Sequence, residues 1–284
     1  MAENTGTSAS YSGYNGVSIA ADVYGESGGR AIIFAHGGGQ TRHAWQSTGK
    51  LLADRKCQSI CIDLRGHGDS DWCPNGDYRI EAFAQDLVCL CKELDSPPVL
   101  VGASLGGIAA MIAAGELQPG IFSGIVFVDV TPNMETSGVE KILGFMGAHL
   151  EIGFGSLEEA ADAISAYLPN RKRPKDLGGL AKNLIQGNDG RYRWHWDPKF
   201  ISSDNRLSAS QDSQRLANAV SNIDVPIMLV RGKMSELVSE RSVQQFIELK
   251  PDATFVDVAG AGHMVAGDHN DAFTRAITEF LLEA

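Results

Sequence analysis

The sequence predicts an α/β fold: a mostly parallel, twisted sheet of about eight strands, helices on both faces, and a helical cap inserted after the sixth strand. Three observations predict it. Short runs apolar on both faces recur along the chain, stretches of helical period lie between them, and one long segment interrupts the alternation.

The elements follow in order. A polar N-terminal arm of about ten residues, expected to be mobile, precedes Tyr14 to Tyr24, whose alternation around Asn15-Gly16 reads as part of a β-hairpin. Gly28-Gly29 then turns the chain into Ala31-Ile32-Ile33-Phe34-Ala35, a run with no polar face, as in a parallel strand covered on both sides. Ser47 to Arg55 has helical period and leads to the run Ser59-Ile60-Cys61-Ile62. A helix over Ile80 to Leu94 precedes Val99-Leu100-Val101, and a helix over Ser104 to Gly115 precedes Ile125-Val126-Phe127-Val128. The alternation stops at Thr131 and resumes with Ile227 to Val230, a helix over Ser242 to Leu249, the run Thr254-Phe255-Val256 and a last helix over Asn270 to Leu282.

A structureless loop as long as 131–221 is uncommon in a compact domain. Helices are therefore expected there over Glu140 to His149, Leu157 to Tyr167 and Asp176 to Gln186, with no strand. This divides the chain into a core domain, 11–130 with 222–284, and a cap, 131–221. In such sheets ligands bind beyond the carboxyl ends of the strands.

Composition narrows the function. A net charge of −11 in 284 residues and a pI near 5.1 argue against a nucleic-acid surface, which concentrates Lys and Arg. The cysteines, Cys57, Cys61, Cys73, Cys89 and Cys91, are odd in number and lack paired metal-site spacing, so reduced thiols, a cytoplasmic location and no metal are expected. The start has no basic and apolar leader, and no run reaches the roughly 18 apolar residues of a membrane span. The expected partner is a small-molecule substrate, with no nucleic acid, no membrane and no cofactor; homo-oligomerisation is left open.

The chemistry centres on Gly102-Ala103-Ser104-Leu105-Gly106, at a strand-to-helix turn. A serine there is exposed on a strained backbone, and the residues two before and two after it must be small or the strand and helix collide. A hydroxyl is a poor nucleophile at neutral pH and needs a base. His263, following the small-residue loop Val258-Ala259-Gly260-Ala261-Gly262, is the candidate. Leu105 N–H, at a helix N-terminus, is a candidate donor to an oxyanion.

Taken in order, His36-Gly37-Gly38-Gly39, Asp63-Leu64-Arg65-Gly66-His67-Gly68-Asp69-Ser70, the Ser104 turn and Gly262-His263 resemble the α/β-hydrolase fold, over residues 14–130 and 222–283. The resemblance implies Ser104 as nucleophile, His263 as base and Gly38 N–H as the second oxyanion donor. His36 and His67 would order the loops, and His36 and Gly37 would border the substrate. For the acid it leads to Glu236 in Arg231-Gly232-Lys233-Met234-Ser235-Glu236, where an aspartate is usual, with Asp129 in Val128-Asp129-Val130 as the alternative. Asp257 and Asp268 flank His263 too closely, and Asp63 and Asp69 would order the Arg65 to Gly68 loop. Trp194 and Trp196 in the aromatic stretch Arg191 to Pro198, together with Arg42, His43, Trp45, Met264 and Val265, are pocket candidates.

The implied reaction is hydrolysis of a small, apolar or aromatic ester, lactone or thioester through an acyl-enzyme at Ser104. A hydrolase of carbon–carbon bonds in ring-cleavage products, a cofactor-free perhydrolase or haloperoxidase, and a non-catalytic ligand receptor on the same fold are the alternatives. Epoxide hydrolases and haloalkane dehalogenases are excluded by the serine, since their nucleophile is a carboxylate.

Overall fold

The computed structural model describes residues 6–168, 173, 176–202, 209–263 and 270–283. Its main sheet has eight strands: β1 (Thr7–Ser12), β2 (Ser18–Tyr24), β3 (Arg30–Ala35), β4 (Cys57–Ile62), β5 (Val99–Ala103), β6 (Gly124–Val128), β9 (Ile227–Gly232) and β10 (Thr254–Val258). Their spatial order is β1-β2-β4-β3-β5-β6-β9-β10. Pairing is antiparallel from β1 to β4 and parallel from β4 onward. The expected mobile arm is corrected here. Thr7 to Ser12 pairs with Val23 to Ser18, because the Tyr14–Gly16 turn folds the alternating run onto residues preceding it.

The two-faced apolar runs have the predicted cause. Ile33, Leu100, Ile125, Phe127 and Leu229 face one core with α2 (Ile80–Cys91), α3 (Leu105–Ile112), α7 (Ala209–Ser221) and α8 (Glu240–Leu249). Their neighbours Ile32, Phe34, Val99, Val101, Val126, Val128, Met228 and Val230 face the other, with α1 (Gln46–Ala53) and α9 (Asn270–Glu283). A period of two on a sheet covered by helices buries both halves of each run.

Between β6 and α7 the chain forms α4 (Thr136–Ala148), α5 (Leu157–Tyr167), the short α6 (Gly178–Ala181), β7 (Leu184–Gln186), β8 (Tyr192–Trp194) and a 3-10 turn, Pro198–Ile201. The expected helix over Asp176 to Gln186 is therefore wrong. The helix is a single turn, Gly178–Ala181, and Leu184 to Gln186 pairs antiparallel with Trp194 to Tyr192. Three-residue strands carry too little alternation to be read from sequence.

This segment rests on the loop after β4. Gly68 N–H donates to His195 O at 2.7 Å and Asp197 N–H to Gly66 O at 2.8 Å. The Tyr78 hydroxyl donates to buried Asp197 at 2.6 Å. Among the described residues no helix is long and apolar enough to cross a membrane.

Candidate active site

Strand order places the site. β3 pairs with β4 on one side and β5 on the other, so connections leaving β3 and β5 diverge and open a crevice at their carboxyl ends. Ala35 pairs with Gly102, which sets the loop Gly37–Gly39 beside Ser104. Ala103 pairs with Val128, so the residues that follow, Ser104 and Asp129, are neighbours on adjacent strands.

Both leave their strands in the left-handed region: Ser104 has φ 43° and ψ −110°, and Asp129 has φ 50°. Such backbone is costly for a residue with a Cβ and persists where the surroundings over-determine it. At the serine turn the flanking glycines do this. A Cβ on Gly106 would lie 2.5 Å from Ala35 O, and one on Gly102 would lie 2.7 Å from Gly107 N, so neither position admits a side chain.

The carboxylate beside the candidate base is Asp129. His263 Nδ1 lies 2.6 Å from Asp129 Oδ2, with Asp129 fully buried. Asp129 also accepts Gly232 N–H at 3.0 Å through Oδ1 and the Ser235 hydroxyl at 2.6 Å through Oδ2. With donors around it the carboxylate is the acceptor, so the imidazole proton sits on Nδ1 and Nε2 is left as the basic nitrogen.

Glu236, expected in this place, is corrected. It points outward, 64 % exposed, and takes Lys141 Nζ on both oxygens at 2.8 and 2.6 Å, tying α4 to the loop after β9. Asp129 ends β6 with its carboxylate aimed between β6 and β9, which is why it reaches His263 and Glu236 does not.

The amides around Ser104 divide into engaged and open ones. Gly37 N–H donates to Gln40 Oε1 at 3.0 Å, Gly39 N–H to His67 Nε2 at 3.1 Å, and Gly106 N–H to His36 O at 3.2 Å. Those of Gly38 and Leu105 have no acceptor among the described residues. Two open N–H groups flanking a strained serine are suited to a developing oxyanion.

His36 and His67 lie beneath this loop and are fully buried. His36 accepts Leu64 N–H through Nε2 at 3.0 Å, with Nδ1 2.8 Å from Gly37 O. His67 places Nδ1 2.9 Å from Arg65 O. Burial lowers the first to about 4 and, with the neighbouring His36 adding, the second to about 3. The native protein thus holds both neutral, whereas an unfolded chain protonates them near the ordinary 6.5. The stability this contributes is complete above pH 6.5 and is lost as pH falls through that value towards 4. The Tm is expected to decline steadily from pH 6.5 to 4.5, above the usual carboxylate range; a flat Tm across that window would contradict it.

Several pocket candidates have other duties. Arg42 is committed to carboxylates: Nη1 to Asp63, Nε to Asp22 at 3.1 Å and Nη2 to Asp69 at 2.8 Å. Trp45 is fully buried between Phe34 and Phe273, with centroids 5.3 and 5.8 Å away, and belongs to the core. His43 lines a polar cavity of about 220 Å³ with Asp69, Lys182 and His195, whose lining does not include Ser104. Trp194 packs edge-on against Phe145 and Phe154. Trp196 is buried against Met146 and Ile201, near Gly39. Met264 and Val265 lie outside the described residues.

What lies over the glycine loop instead is Phe200, with Met146. A Cβ on Gly38 would come 3.2 Å from Phe200 Cζ and 3.9 Å from Leu105 Cδ2; one on Gly39 would come 3.1 Å from Met146 Cε. Phe200 is held edge-on by His67, Tyr78, Phe83 and Trp196. Its only sequence signal was its place just after the aromatic stretch, with no period to show that it turns back onto the glycines.

Comparison with known proteins agrees with this architecture. Residues 32–276 match the model of the alpha/beta hydrolase family. The chain is 30% identical over 267 residues to 2-(acetamidomethylene)succinate hydrolase of Mesorhizobium japonicum, covering 93% of this chain and 92% of that one. It is 29% identical over 255 residues to an esterase of Mycobacterium tuberculosis, covering 87% and 80%. Among solved structures, an E-2-(acetamidomethylene)succinate hydrolase superposes with a TM-score of 0.84 at 25% identity, covering 98% of this chain and all (100%) of that one.

Proposed function

Because this chain belongs to the alpha/beta hydrolase family and is an enzyme of hydrolase type, we propose that it cleaves a small, uncharged carboxylic ester, lactone or thioester through an acyl-enzyme on Ser104. The observation that carries this is the contact of His263 with Asp129, on the strand end adjoining Ser104. Ser104 Oγ attacks the carbonyl carbon as His263 Nε2 takes its proton, and Asp129 holds the imidazolium that forms. The carbonyl oxygen, now an anion, is received by Gly38 and Leu105 N–H. When the tetrahedral centre collapses, the imidazolium proton goes to the leaving alkoxide or thiolate. Water then repeats the sequence on the acyl-serine, losing its proton to His263 and releasing the acid. Residues 131–221 act as the cap.

The substrate class rests on what surrounds the glycine loop. Phe200, Met146 and Trp196 are apolar, and Arg42 is already neutralised. An uncharged acyl group suits such a site better than a carboxylate. Phe200 would then limit acyl length. Phe200→Leu is expected to raise the kcat/KM ratio of p-nitrophenyl hexanoate to acetate by about 10-fold, the scale of one or two methylenes in an apolar pocket. An unchanged ratio would mean that Phe200 only holds the fold together.

The direct test is a fluorophosphonate probe on native protein. It is expected to label one site, located by peptide mass analysis in the segment containing Ser104. Absence of labelling in well-folded protein, or labelling elsewhere, would overturn the reading.

A further inference from the structure

Ser235 is a residue that the acyl-transfer scheme does not use, yet it touches its acid. It sits in the loop after β9, one place before Glu236. Its hydroxyl is 2.6 Å from Asp129 Oδ2, and its oxygen accepts Leu237 N–H at 3.0 Å and Val238 N–H at 3.1 Å. A hydroxyl has one proton to donate and two acceptor positions. With both acceptor positions taken by amides, its proton is aimed at the carboxylate. Ser235 is therefore a fixed donor and not a free rotor.

The oxygen it serves is the one that receives His263 Nδ1, also at 2.6 Å, while Asp129 Oδ1 takes Gly232 N–H. Two short donors on one oxygen draw on the same electron density, so each weakens the other's hold. We propose that Ser235 is a positioning residue that tempers the grip of Asp129 on His263 and thereby sets the pH at which the base becomes active. This rests on the triad reading above. Without the hydroxyl, Asp129 carries more negative charge towards the imidazole, favours the imidazolium, and keeps the base protonated to a higher pH.

The charged groups facing this cluster from packed elements are paired or remain the same in the variants compared. Arg231 on β9 is bound by Asp257 of β10 at 2.7 Å through both Nε and Nη2. On the loop, Glu236 is bound by Lys141 of α4, with Lys233 exposed and Glu240 following at the start of α8. Glu135, preceding α4, gives its backbone amide to Leu237 O. Their fields cancel in a comparison of Ser235 variants.

The test is the pH dependence of the rate constant for fluorophosphonate labelling, which needs no known substrate. Ser235→Ala is expected to move the acid limb upward by about half a unit to one unit, as for loss of one hydrogen bond to a charged group. Ser235→Thr, which keeps the hydroxyl, is expected to restore the native limb. Should Ser235→Ala fail to fold, Ser235→Cys, whose thiol is a weaker donor of similar size, is expected to give an intermediate upward shift. An unmoved limb in the folded variants, whatever the change in rate or Tm, overturns the proposal and leaves Ser235 as a loop brace. Failure of the triad reading is distinguishable, since native protein would then not be labelled at Ser104 or Asp129→Asn would label at the native rate.

Discussion

Asp129→Asn is expected to lower kcat on a p-nitrophenyl ester by about 10³- to 10⁴-fold, the scale of removing the charge behind a catalytic imidazole. Glu236→Gln is expected to leave kcat within about two-fold of native, since an exposed ion pair contributes little. Asp129 is buried and ringed by donors from Gly232, Ser235 and His263. An asparagine there can turn its NH2 towards the imidazole only by stabilising the tautomer protonated at Nε2, which cannot take the serine proton. Glu236 is occupied by Lys141 at the loop's outer side. The opposite ranking of the two variants would remove Asp129 from the triad.

The other large effect is Ser104→Ala. It is expected to abolish fluorophosphonate labelling and to reduce kcat by about 10⁵- to 10⁶-fold, because in the proposed scheme Ser104 is the nucleophile and its removal disables the base and the acid together. Residual turnover above the uncatalysed rate would come from the open amides of Gly38 and Leu105. The Tm is expected to stay close to native, for alanine meets the same backbone requirement at φ 43° that serine already meets. Turnover that survives the substitution at native rate, measured on protein free of wild-type contaminant, would place the chemistry elsewhere.

The sheet and its two layers of helices were legible in the residues because burial on both faces writes itself as unbroken apolar runs, as in Ile32-Ile33-Phe34 and Ile125-Val126-Phe127-Val128. The turn at Ser104 was legible for a partly local reason: Gly102 answers a steric demand made by the following helix at Gly106 and Gly107, whereas the demand on Gly106 comes from Ala35 on the neighbouring strand. The short antiparallel pair Leu184–Gln186 and Tyr192–Trp194 was not, since three residues show no period. Phe200 was not, because its contact with the glycine loop joins Gly38 to a residue far along the chain, inside the inserted segment.

The sequence by itself determined the layered α/β architecture, the strand-end location of Ser104 and the glycines around it. These follow from periodicity and from short-range size limits, such as that of Gly102 against Gly106 and Gly107, which the chain carries locally. Only the tertiary structure decided which carboxylate stands behind His263. Asp129 and Glu236 each follow the carboxyl end of one of two adjacent parallel strands, β6 and β9, and nothing local separates them. The register of β6 against β9 turns one inward onto Gly232, Ser235 and His263, and the packing of α4 draws the other outward onto Lys141. Direction in space, set by neighbours distant in sequence, made the choice.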